Sequence, residues 1–194
     1  MNPSLTVCLE LAGLELAADQ IGQLDALGKW LRTEAVPKGG LGPSEGSRIE
    51  YRHLADSVVF ASGWATPPSQ CWDLGSGSGL PGLVLSIVWP ACRVRLIDRS
   101  TRRMDLARRG ARVVGVEVDA TIASIESLQG PVEAVVSRAA MSALDLAPHL
   151  RRILSPGGMA VVSGSGAPVP GYSALPVPAR ILDHSPRLLM MRAQ

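Results

Sequence analysis

The sequence predicts an α/β fold, a mostly parallel seven-stranded sheet behind an N-terminal helical cap. Three observations carry this. From residue 70 onward, strand-like runs alternate with helical ones, the pattern of βα units laid side by side in a parallel sheet. A glycine-dense turn, Asp73-Leu74-Gly75-Ser76-Gly77-Ser78-Gly79-Leu80-Pro81-Gly82, stands between the first strand and the helix after it. Before residue 62 the apolar residues recur at helical spacing instead, with a Gly/Pro-rich break in the middle. The division expected is a cap over residues 1–66 and a sheet domain over 67–194.

In chain order, Ser4 is placed as the cap of a short helix carrying Leu5, Cys8, Leu9 and Leu11, which Gly13 ends. A second helix over 17–35 sets Ile21, Leu24, Leu27 and Leu31 on one stripe, extended by Trp30. Residues 36–47 are too rich in Gly and Pro for a helix or a central strand, so a loop beside the active site is expected. A third helix over 48–61 turns Ile49, Leu54, Val58 and Val59 inward. It gathers His53, Asp56 and Ser57 within one turn. Residues 63–69, with Pro67 and Pro68, link cap and sheet.

Strands are then expected at 70–74, 93–97, 114–118, 132–137 and 159–163. The helices between them fall at 81–88, 101–114 and 143–154. Pro81 suits a first helical turn, where its missing N–H leaves nothing unsatisfied. Residues 164–178 read as a loop, and 179–183 with 187–192 as a closing antiparallel hairpin that completes seven strands. His149 and His184 read as structural or surface residues.

Bulk properties bound the function. A chain of 194 residues with 46% hydrophobic and 19% charged residues can bury a substantial core. The net charge of +2 does not by itself demand a nucleic-acid partner. Yet the only lysines are Lys29 and Lys38; every other basic side chain is arginine, with a cluster from Arg93 to Arg112. Arginine contacts phosphate in two-pronged fashion and stacks on bases. The three cysteines, Cys8, Cys71 and Cys92, lack metal-ligand spacing and are odd in number, as expected of a reducing compartment. No signal-peptide pattern and no apolar run of membrane-spanning length are present, so a cytoplasmic protein with no membrane and no metal partner is expected.

Glycine admits positive φ and close backbone approach, and a helix N-terminus offers unpaired N–H groups. The turn at 73–82 is therefore a place to hold a cofactor. Gly77-x-Gly79-x-x-Gly82 fits the dinucleotide fingerprint. With Asp73 before it, Asp-x-Gly-x-Gly-x-Gly resembles motif I of Rossmann-like class I S-adenosylmethionine-dependent methyltransferases. Asp98 ends the second strand, 21 residues after Gly77, where an acid is the expected partner of ribose hydroxyls.

Four stretches together carry a closer likeness: Arg52-His53-Leu54-Ala55-Asp56-Ser57, the turn ending Gly79-Leu80-Pro81-Gly82, Leu96-Ile97-Asp98 with Arg102-Arg103, and Val136-Ser137-Arg138-Ala139. This resembles the glucose-inhibited division protein B family of small-subunit 16S rRNA guanine-N7 methyltransferases, over roughly residues 15–163. The resemblance implies S-adenosyl-L-methionine as cofactor, with contacts at Gly75, Leu80, Ile125, Glu126 and Arg138 and the ribose at Asp98. Asp73, Ser76, Gly77 and Gly79, which form and support the turn, are also expected to bind the cofactor. It implies an RNA side made by His53, Asp56, Ser57, Arg102 and Arg103, with 16S rRNA or the small ribosomal subunit as partner and a monomeric enzyme. The chain departs from the family pattern at three places. The Asn-Leu-Thr segment after Trp30 is replaced by the Gly/Pro loop, Ser124 stands where an arginine is expected, and Val162-Ser163-Gly164 lacks a lysine.

Guanine N7 has a lone pair and no proton to remove, so no catalytic base is assigned. The sequence holds no evident nucleophile pair or metal cluster. Three other readings compete: the same fold acting on another RNA or a small molecule, a catalytically silent paralogue that binds a partner, and a nicotinamide-dependent oxidoreductase. Asp73 and the Leu80-Pro81-Gly82 ending speak against the last.

Overall fold

A computed structural model describes residues 3–164, 167–177 and 187–193. The chain starts with α1 (Pro3–Leu11), α2 (Ala18–Trp30) and a π-helical turn, Leu31–Ala35, that prolongs α2. Helix α1 thus begins at Pro3, ahead of the Ser4 expected to cap it. The Gly/Pro loop closes with a 3-10 turn, Pro43–Arg48. The single helix expected over 48–61 is instead a relay: a wide turn Ile49–Leu54, α3 (Ala55–Val59) and a tight turn Phe60–Gly63. Its inward residues are as expected, with Ile49, Leu54, Val58 and Val59 all buried.

The sheet domain alternates β1 (Gln70–Leu74), α4 (Gly82–Val88), β2 (Arg93–Asp98), α5 (Thr101–Val114), β3 (Asp119–Ile122), β4 (Val132–Ser137), α6 (Ala143–Ile153) and β5 (Leu154–Ser163). It ends with β6 (Ser173–Leu175) and β7 (Leu188–Arg192). The seven strands lie in the order β3-β2-β1-β4-β5-β7-β6. The first five are parallel, and β7 runs antiparallel to both β5 and β6. Chain order reverses between β1 and β4, and ligands of open α/β sheets bind beyond the carboxyl ends of strands at such a point.

Two expectations are corrected. The third strand is not 114–118. Gly115 takes a left-handed conformation (φ 71°) as the cap of α5, and residues 116–118 only carry the chain to β3. Pairing of Arg95 with Asp119 starts the β2–β3 ladder there. The tail 164–178 is not all loop, because Ser173–Leu175 pairs with Leu188–Met190. The hairpin arm expected at 179–183, and His184, lie outside the described residues.

Two apolar layers sandwich the sheet. One joins the cap to α4 and α5, with Leu24, Leu31, Phe60, Leu83 and Leu96 fully buried. The other sits under α6 and includes Leu74, Ile97, Val135 and Leu150. Burying a side chain of this size contributes about 1.5–3 kcal/mol. Among the described residues no helix is long and apolar enough to cross a membrane, and no group of side chains is disposed to hold a metal.

Candidate active site

The site grows from the turn after β1. Two backbone N–H groups, of Gly75 and Ser76, donate to the Ile97 carbonyl at 2.8 and 3.0 Å, fastening the turn to β2. The Ser76 hydroxyl donates to the Asp73 carbonyl at 2.7 Å and accepts from the Ile97 N–H at 2.9 Å. Asp73 is fully buried, and its Oδ2 accepts from the Gly82 N–H at 2.8 Å. Among the described residues its Oδ1 has no hydrogen-bond partner. Burial pushes the Asp73 carboxyl up to about 7, against the opposing pull of the Gly82 N–H. Buried carboxyl oxygens are usually hydrogen-bonded, and this one stands directly behind the turn.

The glycines have separate tasks. Gly75 has φ 72°, and a Cβ there would lie 2.4 Å from Ala140 Cβ, so the turn and the segment after β4 could not come together around any other residue. Gly77, at φ 58°, faces open space, and its N–H donates to Asp98 Oδ2 at 3.0 Å. Gly79 faces inward, because its Cβ would sit 2.5 Å from Leu83 Cδ1. Leu80 is likewise buried in the core, behind the turn.

A cleft of about 220 Å³ opens at the carboxyl ends of β1, β2 and β4. Gly75, Asp98, Ile125, Glu126 and Arg103 line it. Asp98 is anchored by Gly77 and by the Ser100 N–H, which donates to its Oδ1 at 2.9 Å. The Arg103 guanidinium lies 3.8 Å from Asp98 Oδ2. Glu126 is held below the usual carboxylate range by its own backbone N–H and by Ser124. A roomier groove, about 670 Å³, lies at the opposite ends of β1 and β2, away from these groups; volume alone does not mark the site.

The remaining expected residues are placed elsewhere. Arg138 leaves β4 toward the cap, where its guanidinium stands 3.4 Å from Asp56 Oδ2. His53 Nε2 meets Glu45 Oε2 at 2.8 Å, tying the Gly/Pro loop to the cap. Burial and the Arg138 charge push the His53 imidazole below its ordinary value. Ser57 is buried, with its hydroxyl donating to the His53 carbonyl at 2.6 Å. Arg102 donates to the Lys38 carbonyl. His149 is half-buried, with Nδ1 unpartnered among the described residues.

Sequence reasoning missed the wall after β4. Ala139 has φ 58°, a left-handed conformation that non-glycine residues rarely adopt, and its N–H donates to Ser163 Oγ at 2.9 Å. Strained backbone of this kind concentrates at ligand sites. Ala139, Ala140, Met141 and Arg99 also line the cleft. Arg99 follows Asp98 in the sequence and Ala139 closes the Val136–Ala139 stretch, but neither was assigned to the site.

Residues 23–171 match the family model described as rRNA small subunit methyltransferase G, or GidB. The chain belongs to the rRNA small subunit methyltransferase G family. A member from Mycolicibacterium gilvum is 33% identical over 162 residues, covering 80% of this chain and 71% of that relative. One from Mycobacterium leprae (strain TN) is 34% identical over 133 residues, covering 66% of this chain and 54% of the relative. The chain thus spans between about half and seven tenths of these two relatives. Solved structures agree on the fold, that of class I S-adenosylmethionine-dependent methyltransferases. A ribosomal protein L11 methylase from Lactobacillus delbrueckii subsp. bulgaricus superposes with a TM-score of 0.56 at 18% identity, over 74% of this chain and 80% of that one. An RNA methyltransferase from Salinibacter ruber, solved with S-adenosyl-L-homocysteine, gives 0.51 at 20% identity, over 64% and 80%. Within the rRNA small subunit methyltransferase G family pattern, the departures at 124 and 163 fall at this cleft: Ser124 lines it and Ser163 holds Ala139.

Proposed function

We propose that the chain is an S-adenosyl-L-methionine-dependent methyltransferase that methylates N7 of a guanine in 16S ribosomal RNA. The family match over residues 23–171 carries this reading. The site supports it chemically, through a turn whose Gly75 leaves no room for a Cβ against Ala140 and an anchored acid at the end of β2 that lines the cleft.

When bound, the cofactor supplies a sulfonium methyl group. The chain's residues hold and aim the reactants. Asp73, buried behind the turn, holds it in shape through the Gly82 N–H, and Asp98 keeps lone pairs for ribose hydroxyls. Ile125 gives an apolar wall, and Glu126 an acceptor at the rim. Arg102 and Arg103 stand on the RNA side. Guanine N7 needs no deprotonation, so rate enhancement comes from alignment. The purine cation that forms is favoured by nearby carboxylates.

Undermethylated small ribosomal subunits incubated with labelled S-adenosylmethionine should acquire label in a 16S guanosine, located by nucleoside mass spectrometry. Absence of calorimetric binding of S-adenosylmethionine would sink the methyltransferase reading. Binding without transfer to rRNA would sink only the substrate. Asp98→Ala should weaken cofactor binding by about 1–3 kcal/mol through lost hydrogen bonds; unchanged affinity would remove Asp98 from the site.

A further inference from the structure

The groove of about 670 Å³ forms where β2 outruns β3. Pairing with β3 begins at Arg95, so Arg93 and Val94 have no β3 neighbour. Four guanidinium groups line this groove, those of Arg93, Arg95, Arg108 and Arg112. Two are fastened. Arg95 pairs with Asp119 at 2.6 Å and lies over the Trp72 ring, 5.2 Å from its centre. Arg108 donates to the Ala120 carbonyl at 2.6 Å and to Asp105 at 3.1 Å. Arg93 and Arg112 are exposed, and their side chains have no hydrogen-bond or ion-pair partner among the described residues. The lining acids are Asp119, already neutralised by Arg95, and Glu117. The groove is therefore net positive.

Helix α5 joins this groove to the cleft. Arg103, in its first turn, lines the cleft, and Arg112, in its last, lines the groove. The helix has 14 residues. At about 1.5 Å per residue its ends stand about 20 Å apart. Arg109, exposed, stands between them. Nine residues apart, Arg103 and Arg112 project from opposite sides of the helix, so a polyanion held at both passes around α5.

We propose that the groove at the amino-terminal ends of β1 and β2 is a second anchor for the RNA backbone, gripping phosphates far from the target base. Arginine provides two-pronged, charge-assisted phosphate contacts, and the fastened Arg95 and Arg108 are pre-ordered for them. The anchor rests on the RNA-methyltransferase reading above. It separates docking on a large RNA from chemistry in the cleft.

The test is the double variant Arg93→Glu with Arg112→Glu, whose exposed positions keep the fold intact. Circular dichroism and S-adenosylhomocysteine affinity, both expected unchanged, check this. The half-saturating concentration of undermethylated small subunits should rise about tenfold or more at unchanged maximal rate. The slope of log affinity against log salt for ribosomal RNA should flatten by about 1.4–1.8, the loss of two phosphate contacts. A control reversing the exposed Arg151 and Arg192, remote from α5, should do neither. Unchanged titration and slope in the α5-side variant overturn the anchor, and so does equal weakening by the control, which would reduce the effect to net charge. If the wild-type protein methylates no rRNA, the functional reading fails on its own, and the salt slopes of RNA binding still decide the groove.

Discussion

At Asp73 the fold holds a carboxyl where water does not reach, and two predictions follow from that residue and its neighbour. Burial lifts the Asp73 carboxyl up to about 7, whereas an unfolded aspartate titrates near ~3.9. The folded chain therefore binds more protons than the unfolded chain between about pH 4 and pH 7. Stability from this group is fully present below about pH 4 and is lost as pH rises through about 7. Asp73→Asn, neutral at every pH, should lack that dependence. The difference in urea midpoint between the ligand-free wild type and the variant should shift steadily across the window; a flat difference would mean Asp73 is solvated. Gly75 and Gly77 form the second test. Both have positive φ, but only Gly75 would press a Cβ against Ala140, at 2.4 Å. Gly77→Ala should cost about 1–2 kcal/mol of left-handed strain. Gly75→Ala adds displacement of the Ala140 wall and should abolish cofactor binding in calorimetry. Equal behaviour of the two variants would show that the wall yields. Asp73 and the glycines were readable from their pattern. The strained Ala139 was not: it stands in the Val136–Ala139 stretch that carries the likeness, but an alanine carries no mark of its φ.

At the scale of elements, what the sequence disclosed depended on whether local signals competed. Helix α5 was legible end to end, since the buried Met104, Ala107 and Ala111 share one side and Arg102 and Arg109 fall on the other. Strand β3 was not. Val114 and Val116 mimic a strand, but Gly115 ends the helix left-handed, and the Arg95–Asp119 pair sets where pairing begins. The Gly/Pro loop was recognisable only as a loop; its attachments are tertiary. Gly40 packs so closely that a Cβ would lie 3.0 Å from the Ala35 carbonyl and 3.1 Å from Ser78 of the cofactor turn. Arg102 donates to the Lys38 carbonyl on one side, and Glu45 holds His53 on the other. Arg102→Ala should release the first attachment. Trypsin should then cut at Lys38 several-fold faster, while the urea midpoint stays nearly constant, because contacts of exposed charges contribute about 0–1 kcal/mol. Unaltered cleavage would mean that Gly40 packing alone holds the loop.

Over the whole molecule, cap and sheet share one interior, which a boundary drawn by composition at residue 66 does not convey. Leu9, Leu31 and Phe60 from the cap belong to the same buried cluster as Leu83, Leu96 and Val161 from the sheet side. At the junction a Cβ on Gly63 would lie 2.5 Å from Val161 Cγ2, so the link itself is packed against β5. Amphipathic periodicity shows which face of a helix is buried but not against what, so a separable cap and an integral one read alike. The shared cluster predicts that the cap does not melt first. Leu31→Ala, at a fully buried cap position, should lower global stability by about 2–5 kcal/mol. It should shift the unfolding of both parts together. Two single-tryptophan forms make this measurable, one retaining Trp30 in α2 and the other Trp72 in β1. In urea their fluorescence transitions should coincide with each other and with far-ultraviolet dichroism, before and after the Leu31 change. A Trp30 transition at lower urea than that of Trp72 would show a cap that opens on its own.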